Sequence, residues 1–448
     1  MATEHPPESK PAPVSLSPLR QLLHFLWPHR LRLAAATGAL VFTAVSQLAL
    51  GYGVQILIDR GFGGESSDDL SYAVRVLVGI SLAMSIGTFI RFYLVSWLGE
   101  RVSADLRSRV FRNLVRLHPG YFETNQAGEI MSRLTTDTTL LQTLIGSSVS
   151  LAARSTLTMV GALTLMVITN LKLSLIILVA VPLTLMPVLV FGRRVRSLSS
   201  KSQDSIAHVG SQAGEILQSI KVVQSYNREA MEQQRFDNDV EHAFDIARAR
   251  IRQRAILMAA AILVLLGGLT GMLWTGGQDV IAGRMTGGEL GAFVFYAIMV
   301  GTAFATLSEV WGDLQRAAGA AERLLDLMTT DSEVVDEGHA QPNTRQPITF
   351  DDVAFAYPTR PDTPALQGLN LTVAPGKSLA LVGPSGAGKS TVFELLQRFR
   401  DPQGGTIRYG DLPLPAMPLA QWRDRTALVP QSPVLFSADV RFNIAYGN

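Results

Sequence analysis

No cysteine occurs anywhere in the 448 residues. Disulfides, thiolate metal sites and thiol catalysis are therefore excluded. Charge is scarce too: 17% of residues are charged, where about 25% is usual for a soluble protein. The net charge of +2 gives no sign of a nucleic-acid partner. Residues 193–254 contain no proline and only two glycines, so nothing there interrupts a helix. The start of the chain lacks the basic segment and apolar run of a cleaved signal peptide. Its first eighteen residues, "MATEHPPESKPAPVSLSP", hold five prolines and predict a disordered tail over 1–18.

What fills the chain instead is apolar, 47% of it. A membrane helix needs about 20 mainly apolar residues. Six runs meet that: 33–58, 72–98 (with Arg75 and Arg91), 155–171, 173–192, 255–278 and 290–308. The third is preceded, across Arg154, by the uncharged run 138–153. Before the first, "LRQLLHFLWPHRLR" puts Leu19, Leu22, Leu23 and Leu26 on one side of a helix over 19–32. It reads equally as a helix on the membrane surface or an ordinary packed one. The fold class expected is a membrane all-α domain of six transmembrane helices over 33–324, with long cytoplasmic extensions. A polar linker follows over 325–346, then a partial α/β nucleotide-binding domain over 347–448.

Six spans put both ends on one side, and the basic residues say which. The short connections 59–74, 170–172 and 279–289 carry Arg60, Lys172 and Arg284 alone, whereas 96–137 and 193–254 carry seventeen lysines and arginines between them. The long connections, the N-terminus and the C-terminal domain are thus expected in the cytoplasm, and the chain in a bacterial-type inner membrane. In the second long connection Ile206, Val209, Ala213, Ile216, Ile220 and Val223 recur at helical spacing. The first is broken by "HPGYFETNQAGE", which supplies a turn. Two helical hairpins should project from the bilayer. Arg91 and Arg154 either line a substrate path or, for Arg91, snorkel toward the cytoplasmic end near Glu100. Pro182 and Pro187 are expected to bend the fourth span.

The strongest local signal is "LVGPSGAGKSTVFELL" at 381–396. Residues 379–382 read as a short buried strand, and 391–398 as a helix. Between them Gly383, Pro384, Ser385, Gly386, Ala387, Gly388, Lys389 and Ser390 fit G-x-x-x-x-G-K-[ST], with Thr391 next. The glycines let backbone N–H groups turn onto phosphate oxygens. The positive end of the new helix faces the same charge. Lys389 would reach the β- and γ-phosphates of ATP, and the Ser390 hydroxyl would hold Mg²⁺.

Further stretches stand in an order that resembles an ATP-binding cassette exporter of the half-transporter kind, similar to the bacterial lipid A and multidrug exporter group. "YFETNQAGEIMSRLTTDTTLL" resembles its first intracellular coupling segment, and "GSQAGEILQSIKVVQSYNREAMEQQRF" the segment after the second. "FDDVAFAYP" resembles the strand ending in an adenine-stacking tyrosine, here Tyr357. "ALQGLNLTVAPGKSLALVGPSGAGKST" resembles the strand pair and phosphate loop. "ALVPQSPVLFSADVRFNIAYGN" resembles the stretch around a glutamine, here Gln431. The resemblance implies ATP and Mg²⁺ as cofactors, Lys389 and Gln431 as catalytic residues, and Ser390 and Gln431 at the metal. Read without it, Tyr357 has the lesser alternative of a tyrosine capping the core, and Gln431, after the β-like run "ALVP", reads as a surface glutamine. It also implies ATP-driven export of an amphiphilic or lipid-like molecule. The partners implied are a second copy of the chain, or a related half-transporter, and membrane lipid. The family's signature loop, Asp-Glu strand and switch histidine do not occur in this sequence. It is therefore expected to be a fragment, inactive alone, with a nucleotide-sensing subunit that binds ATP without hydrolysing it as the alternative.

Overall fold

The computed structural model describes residues 17–447 apart from Glu65 and Pro342; the side chains of Leu23, Arg193 and residues 177–190 are also outside the description. The expected tail over 1–18 falls almost wholly outside the described residues. The single helix expected over 19–32 is interrupted. α1 covers Ser17–Leu22, and Leu23–His29 tightens into a 3₁₀ helix that contains Pro28. Proline has no N–H for an α-helical bond and its ring crowds the preceding turn, so α2 starts only at Arg30 and runs Arg30–Ile56.

Long helices follow. They are α3 (Ser67–Leu114), α7 (Val149–Thr169), α8 (Leu171–Gln218), α10 (Glu229–Ile281) and α11 (Gly287–Thr329). Shorter pieces lie between: α4 (Pro119–Thr124), α5 (Ala127–Ser132), α6 (Thr138–Thr143) and α9 (Ile220–Ser225). Two π-helical turns, Arg133–Asp137 and Leu144–Ser148, join α5, α6 and α7 into one rod. Gly146 in the second turn lies against Gly99, where a Cβ would come within 2.6 Å of the Gly146 Cα. Among the described residues five helices are long and apolar enough to cross a membrane. The fourth expected span lies in α8, which continues through Pro182 and Pro187.

The chain divides into two compact units. One comprises residues 26–101 and 142–316; the other comprises 102–141 and 317–448 with the N-terminal residues up to Phe25. In the first, α7, α8, α10 and α11 share a core of Met166, Leu173, Met272, Phe293, Tyr296 and Met299. Large apolar side chains such as Phe89, Phe92, Leu263 and Leu266 face outward, as lipid contact allows and water does not. α8 packs along α10. Of the expected seam between them Val209, Ala213, Ile216, Ile220 and Val223 are half-buried, while Ile206 is exposed.

A charge cluster closes the connection after α10. Asp279, 2% exposed, accepts from Lys172 Nζ at 3.3 Å, from Arg284 Nε at 2.9 Å and from Arg284 Nη2. The Arg284 guanidinium, helped by Lys172 and opposed by burial, holds its carboxyl below the ordinary carboxylate range. A depressed folded pKa adds stability above the unfolded value, about 3.9, and loses it as pH falls through the folded value. Asp279→Asn is therefore expected to lower the melting temperature at neutral pH, and the gap from the native protein to narrow on acidification below that range. A gap that widens on acidification would count against the ion cluster.

The second unit holds the C-terminal domain. β1 (Ile348–Phe355) pairs antiparallel with β2 (Leu366–Val373) and with β3 (Gly404–Tyr409), and β3 with the short β4 (Leu412–Pro413), in the order β2-β1-β3-β4. Phe350, Val353 and Phe355 of β1 reach one core with Ile407, Met417 and Trp422; an irregularity in the pairing between Phe350 and Val353 resets the alternation. α12 (Lys389–Leu396) adds Val392 and Leu395 to that core. Helices α13 (Leu419–Arg423) and α14 (Val440–Ile444) follow. The strand expected at 379–382 does not form, and Val382 is 88% exposed. The β-like run before Gln431 does not form either, and Val429 is 91% exposed. Among the described residues neither segment joins the sheet, and an apolar run becomes a buried parallel strand only between neighbours that take up its N–H and C=O groups.

The linker is not a free spacer. α11 extends to Thr329, and Asn113 Nδ2 donates to the carbonyls of Leu327 and Thr330 at 2.9 and 3.0 Å. Glu333 N donates to His118 Nδ1, Leu419 N to Asp336 Oδ1, and Arg398 Nη2 to the Val335 carbonyl. Val334 is buried. Of these bonds only the one to Asp336 uses a linker side chain; the others run through backbone groups.

Candidate nucleotide site

The phosphate loop is exposed from Gly383 to Ala387 and turns inward at Gly388 and Lys389. Gly386 and Gly388 take φ of 84° and 80°, a region that disfavours a Cβ. At Gly388 space forbids one as well, since it would lie 2.5 Å from the Ala365 carbonyl oxygen. That left-handed residue directly precedes α12, and Val392 N donates to the Gly388 carbonyl at 3.1 Å. The helix begins at Lys389, two residues earlier than the sequence predicts.

Lys389 Nζ bends back over the loop and donates to the carbonyls of Gly383 and Pro384 at 2.9 and 2.7 Å. Its ammonium thus stands with the free N–H groups of the α12 start, and both favour an anion. Ser390 is exposed at the same helix end. Its hydroxyl is a hard oxygen donor of the kind Mg²⁺ takes, one of the several such an ion needs. Thr391 is buried and turns toward the sheet.

The other end of α12 is also held. Trp422 Nε1 donates to the Leu396 carbonyl at 2.6 Å, and Arg423 donates to those of Gln397 and Arg398 at 3.3 and 3.1 Å. A cation there complements the helix dipole.

Tyr357 is half-buried after β1. Its hydroxyl lies 3.1 Å from Thr391 Oγ1 and donates to Glu394 Oε2 at 3.2 Å. Burial pushes its pKa up; the Thr391 bond works the other way. The ring meets Phe355 edge-on at 5.1 Å and carries the Arg400 guanidinium at 5.2 Å from its centroid, within reach of a cation–π contact. The ring therefore caps the core and borders the loop through α12 at once. Gln431 is exposed, and no hydrogen bond joins it to the loop among the described residues.

Arg400 is the residue that sequence reading missed. Its side chain is 7% exposed. Nη2 donates to Glu123 Oε2 at 2.5 Å, and Nε lies 3.7 Å from Glu394 Oε2. Glu123 belongs to α4, in the turn after α3. Gly120 of that turn leaves the room: a Cβ there would sit 2.7 Å from Arg400 Nη2. One guanidinium thus touches Tyr357, α12 and α4. The available signal was the pair of arginines in "RFRD", just past the helix, facing the acidic residue of "YFET".

The transmembrane-region model of ABC transporters matches residues 33–304, and the ABC transporter model matches 366–443. The chain is 29% identical over 441 residues to "ABC transporter B family member 1" of Dictyostelium discoideum, covering 98% of this chain and 48% of that protein. It is 28% identical over 432 residues to a putative export ATP-binding/permease protein of Rickettsia conorii, 96% of this chain and 75% of the relative. It is 29% identical over 445 residues to the "ABC-type oligopeptide transporter ABCB9" of Homo sapiens, 99% and 58% respectively. The chain thus spans about half the length of the first of these relatives.

Proposed function

The chain belongs to the ABC transporter family, with the membrane region and nucleotide-binding segment of a half-transporter exporter, and from that premise we propose that it is the pump subunit of an ATP-driven exporter of amphiphilic or lipid-like molecules. The observation that carries the reading is a phosphate loop of the right backbone shape on a chain with five described spans. Lys389 and the α12 start bind the β- and γ-phosphates, Ser390 and Gln431 hold Mg²⁺, and Tyr357 borders the adenine. Mg²⁺ held there would supply positive charge at the phosphoryl oxygens. Two chains, identical or related, pair to complete the pump. The phosphate loop, the N-terminus and both long hairpins lie in the cytoplasm.

Inside-out vesicles carrying the protein test this. A fluorescent lipid-like dye should accumulate when ATP is added outside and not with a non-hydrolysable analogue. Cysteines at Ser67 and Ser219, both exposed, fix the orientation in intact cells: an impermeant reagent should label the first only. The reverse labelling overturns the orientation. ATP binding without turnover or uptake favours the nucleotide-sensing alternative.

A further inference from the structure

Tyr357 follows β1 and keeps part of its surface in solvent. A tyrosine in such a place, left free, visits several rotamers. Here hydroxyl and ring are both held. The hydroxyl donates to Glu394 Oε2 at 3.2 Å and lies 3.1 Å from Thr391 Oγ1. A phenol has one proton to give, so it accepts the threonine's in return. Phe355 stands nearly perpendicular to the ring, at 84°, and the Arg400 guanidinium lies over it. Arg400 Nε is in turn 3.7 Å from Glu394 Oε2. One carboxylate oxygen therefore serves both the tyrosine hydroxyl and the cation above its ring.

Thr391 and Glu394 stand three residues apart on α12 and share a face. Lys389 and Ser390 open the same helix, which is eight residues long. A helix of two turns is a rigid ruler. Holding Tyr357 to Thr391 and Glu394 thus fixes its ring at one distance from the phosphate loop.

Glu394 is an odd residue to find there. A negative charge one turn into α12 opposes the anion that the helix start favours. Arg400 does not depend on it for a partner, since Glu123 already supplies a carboxylate. What Glu394 alone adds is the bond to the tyrosine hydroxyl. That bond matters for affinity, because a side chain that must be immobilised on binding takes back part of the energy of its contact. A ring already in place does not. Stacking tolerates any base, so the gain falls to nucleotides as a class over bare polyphosphate.

We propose that Glu394 is a positioning residue for the nucleobase: with Thr391 it holds the Tyr357 hydroxyl, so that the ring stands ready to stack on a nucleotide whose phosphates lie at the start of the same helix. The proposal rests on the reading of Tyr357 as the base contact, and adds a residue that itself touches no nucleotide.

The test uses the membrane-reconstituted protein in a form that carries a whole nucleotide-binding domain. Calorimetry gives the affinities for ATP and for inorganic tripolyphosphate, and their ratio isolates the nucleoside; no turnover is read. In the native protein ATP is expected to bind about 5- to 150-fold tighter, the worth of one stacked base. Glu394→Ala should narrow that ratio by about two- to tenfold, the effect of a ring that must be immobilised on binding. Glu394→Gln, whose amide oxygen still accepts from the hydroxyl, should keep most of it. Tyr357→Phe should narrow the ratio as much as Glu394→Ala does, and the double variant no further. A merely structural role for Glu394 would weaken both ligands alike and leave the ratio unmoved, which overturns the proposal. So does a loss from Glu394→Ala that persists undiminished in the Tyr357→Phe background. If Glu394→Ala fails to fold for want of the Arg400 pair, Tyr357→Phe decides, since it leaves that pair standing; a native ratio there also overturns the proposal. Tyr357→Ala tells the two readings apart. A native ratio in Tyr357→Ala removes the base contact itself, whereas a ratio lost in Tyr357→Ala and kept in Glu394→Ala removes Glu394 alone.

Discussion

In a membrane-reconstituted form that carries a whole nucleotide-binding domain, Lys389→Ala is expected to slow ATP hydrolysis about 100- to 1000-fold, the size of effect seen when one preorganised donor to a developing charge is removed. The Nζ already stands over the loop, held by the Gly383 and Pro384 carbonyls. Those two acceptors place it without any ligand, so little reorganisation is left when phosphate arrives. Its two hydrogen bonds are to exposed carbonyls, which water serves equally well once the side chain is gone. Insertion and melting temperature should therefore stay close to native. Nucleotide affinity should fall by about 10- to 150-fold, given about 1.5–3 kcal/mol for a charge-assisted contact. Turnover within a few-fold of native would remove Lys389 from the phosphoryl-transfer site. A collapse of folding alongside activity would assign the lysine a structural part that the geometry does not give it.

Local signals proved legible and assembled ones did not. The glycine pattern around Lys389 reads directly because each glycine answers to a backbone angle that only its own residue sets, as at Gly386 and Gly388. The long hairpin of α8 and α10 reads for the same reason, since a helix satisfies its hydrogen bonds within itself. Residues 379–382 and the run before Gln431 have strand composition, but a strand depends on its neighbours. Val382 and Val429, in segments that do not join the sheet, are exposed. The linker misleads in the other direction. Its acidic composition suggests solvent, yet Glu333, Val335 and Asp336 are fixed by residues more than sixty positions away. Arg91 and Arg400 were hidden similarly. A lone basic residue at a span end or past a helix looks like a surface group until the chain places Ser150 and Glu123 against it.

Arg400 carries the second large expectation. It separates two carboxylates, Glu123 on α4 and Glu394 on α12, and lies over the Tyr357 ring. Arg400→Gln leaves those carboxylates facing one another without a cation, and it opens a gap beneath Gly120, where no side chain can move in. Glu123 is half exposed, so water softens the loss, and the expected cost is about 1–3 kcal/mol of stability. Glu123→Gln alone should cost less, because Arg400 keeps Glu394 and the tyrosine ring. The double variant should then cost less than the two singles added together, with a coupling of roughly 0.5–3 kcal/mol for groups in direct contact. A second readout separates packing from function. Glu123 lies on α4 and, among the described residues, makes no hydrogen bond or ion pair with the phosphate loop, so a purely local role would leave ATP turnover alone. If the guanidinium ties α4 to α12, Glu123→Gln should lower the stimulation of hydrolysis by added amphiphile several-fold while the KM for ATP stays near native. The exchange Glu123→Arg with Arg400→Glu should recover part of the stability but not the stimulation, because a glutamate at 400 cannot serve the tyrosine ring and Glu394. Strictly additive stabilities together with normal stimulation in Glu123→Gln would reduce the contact to an incidental surface pair.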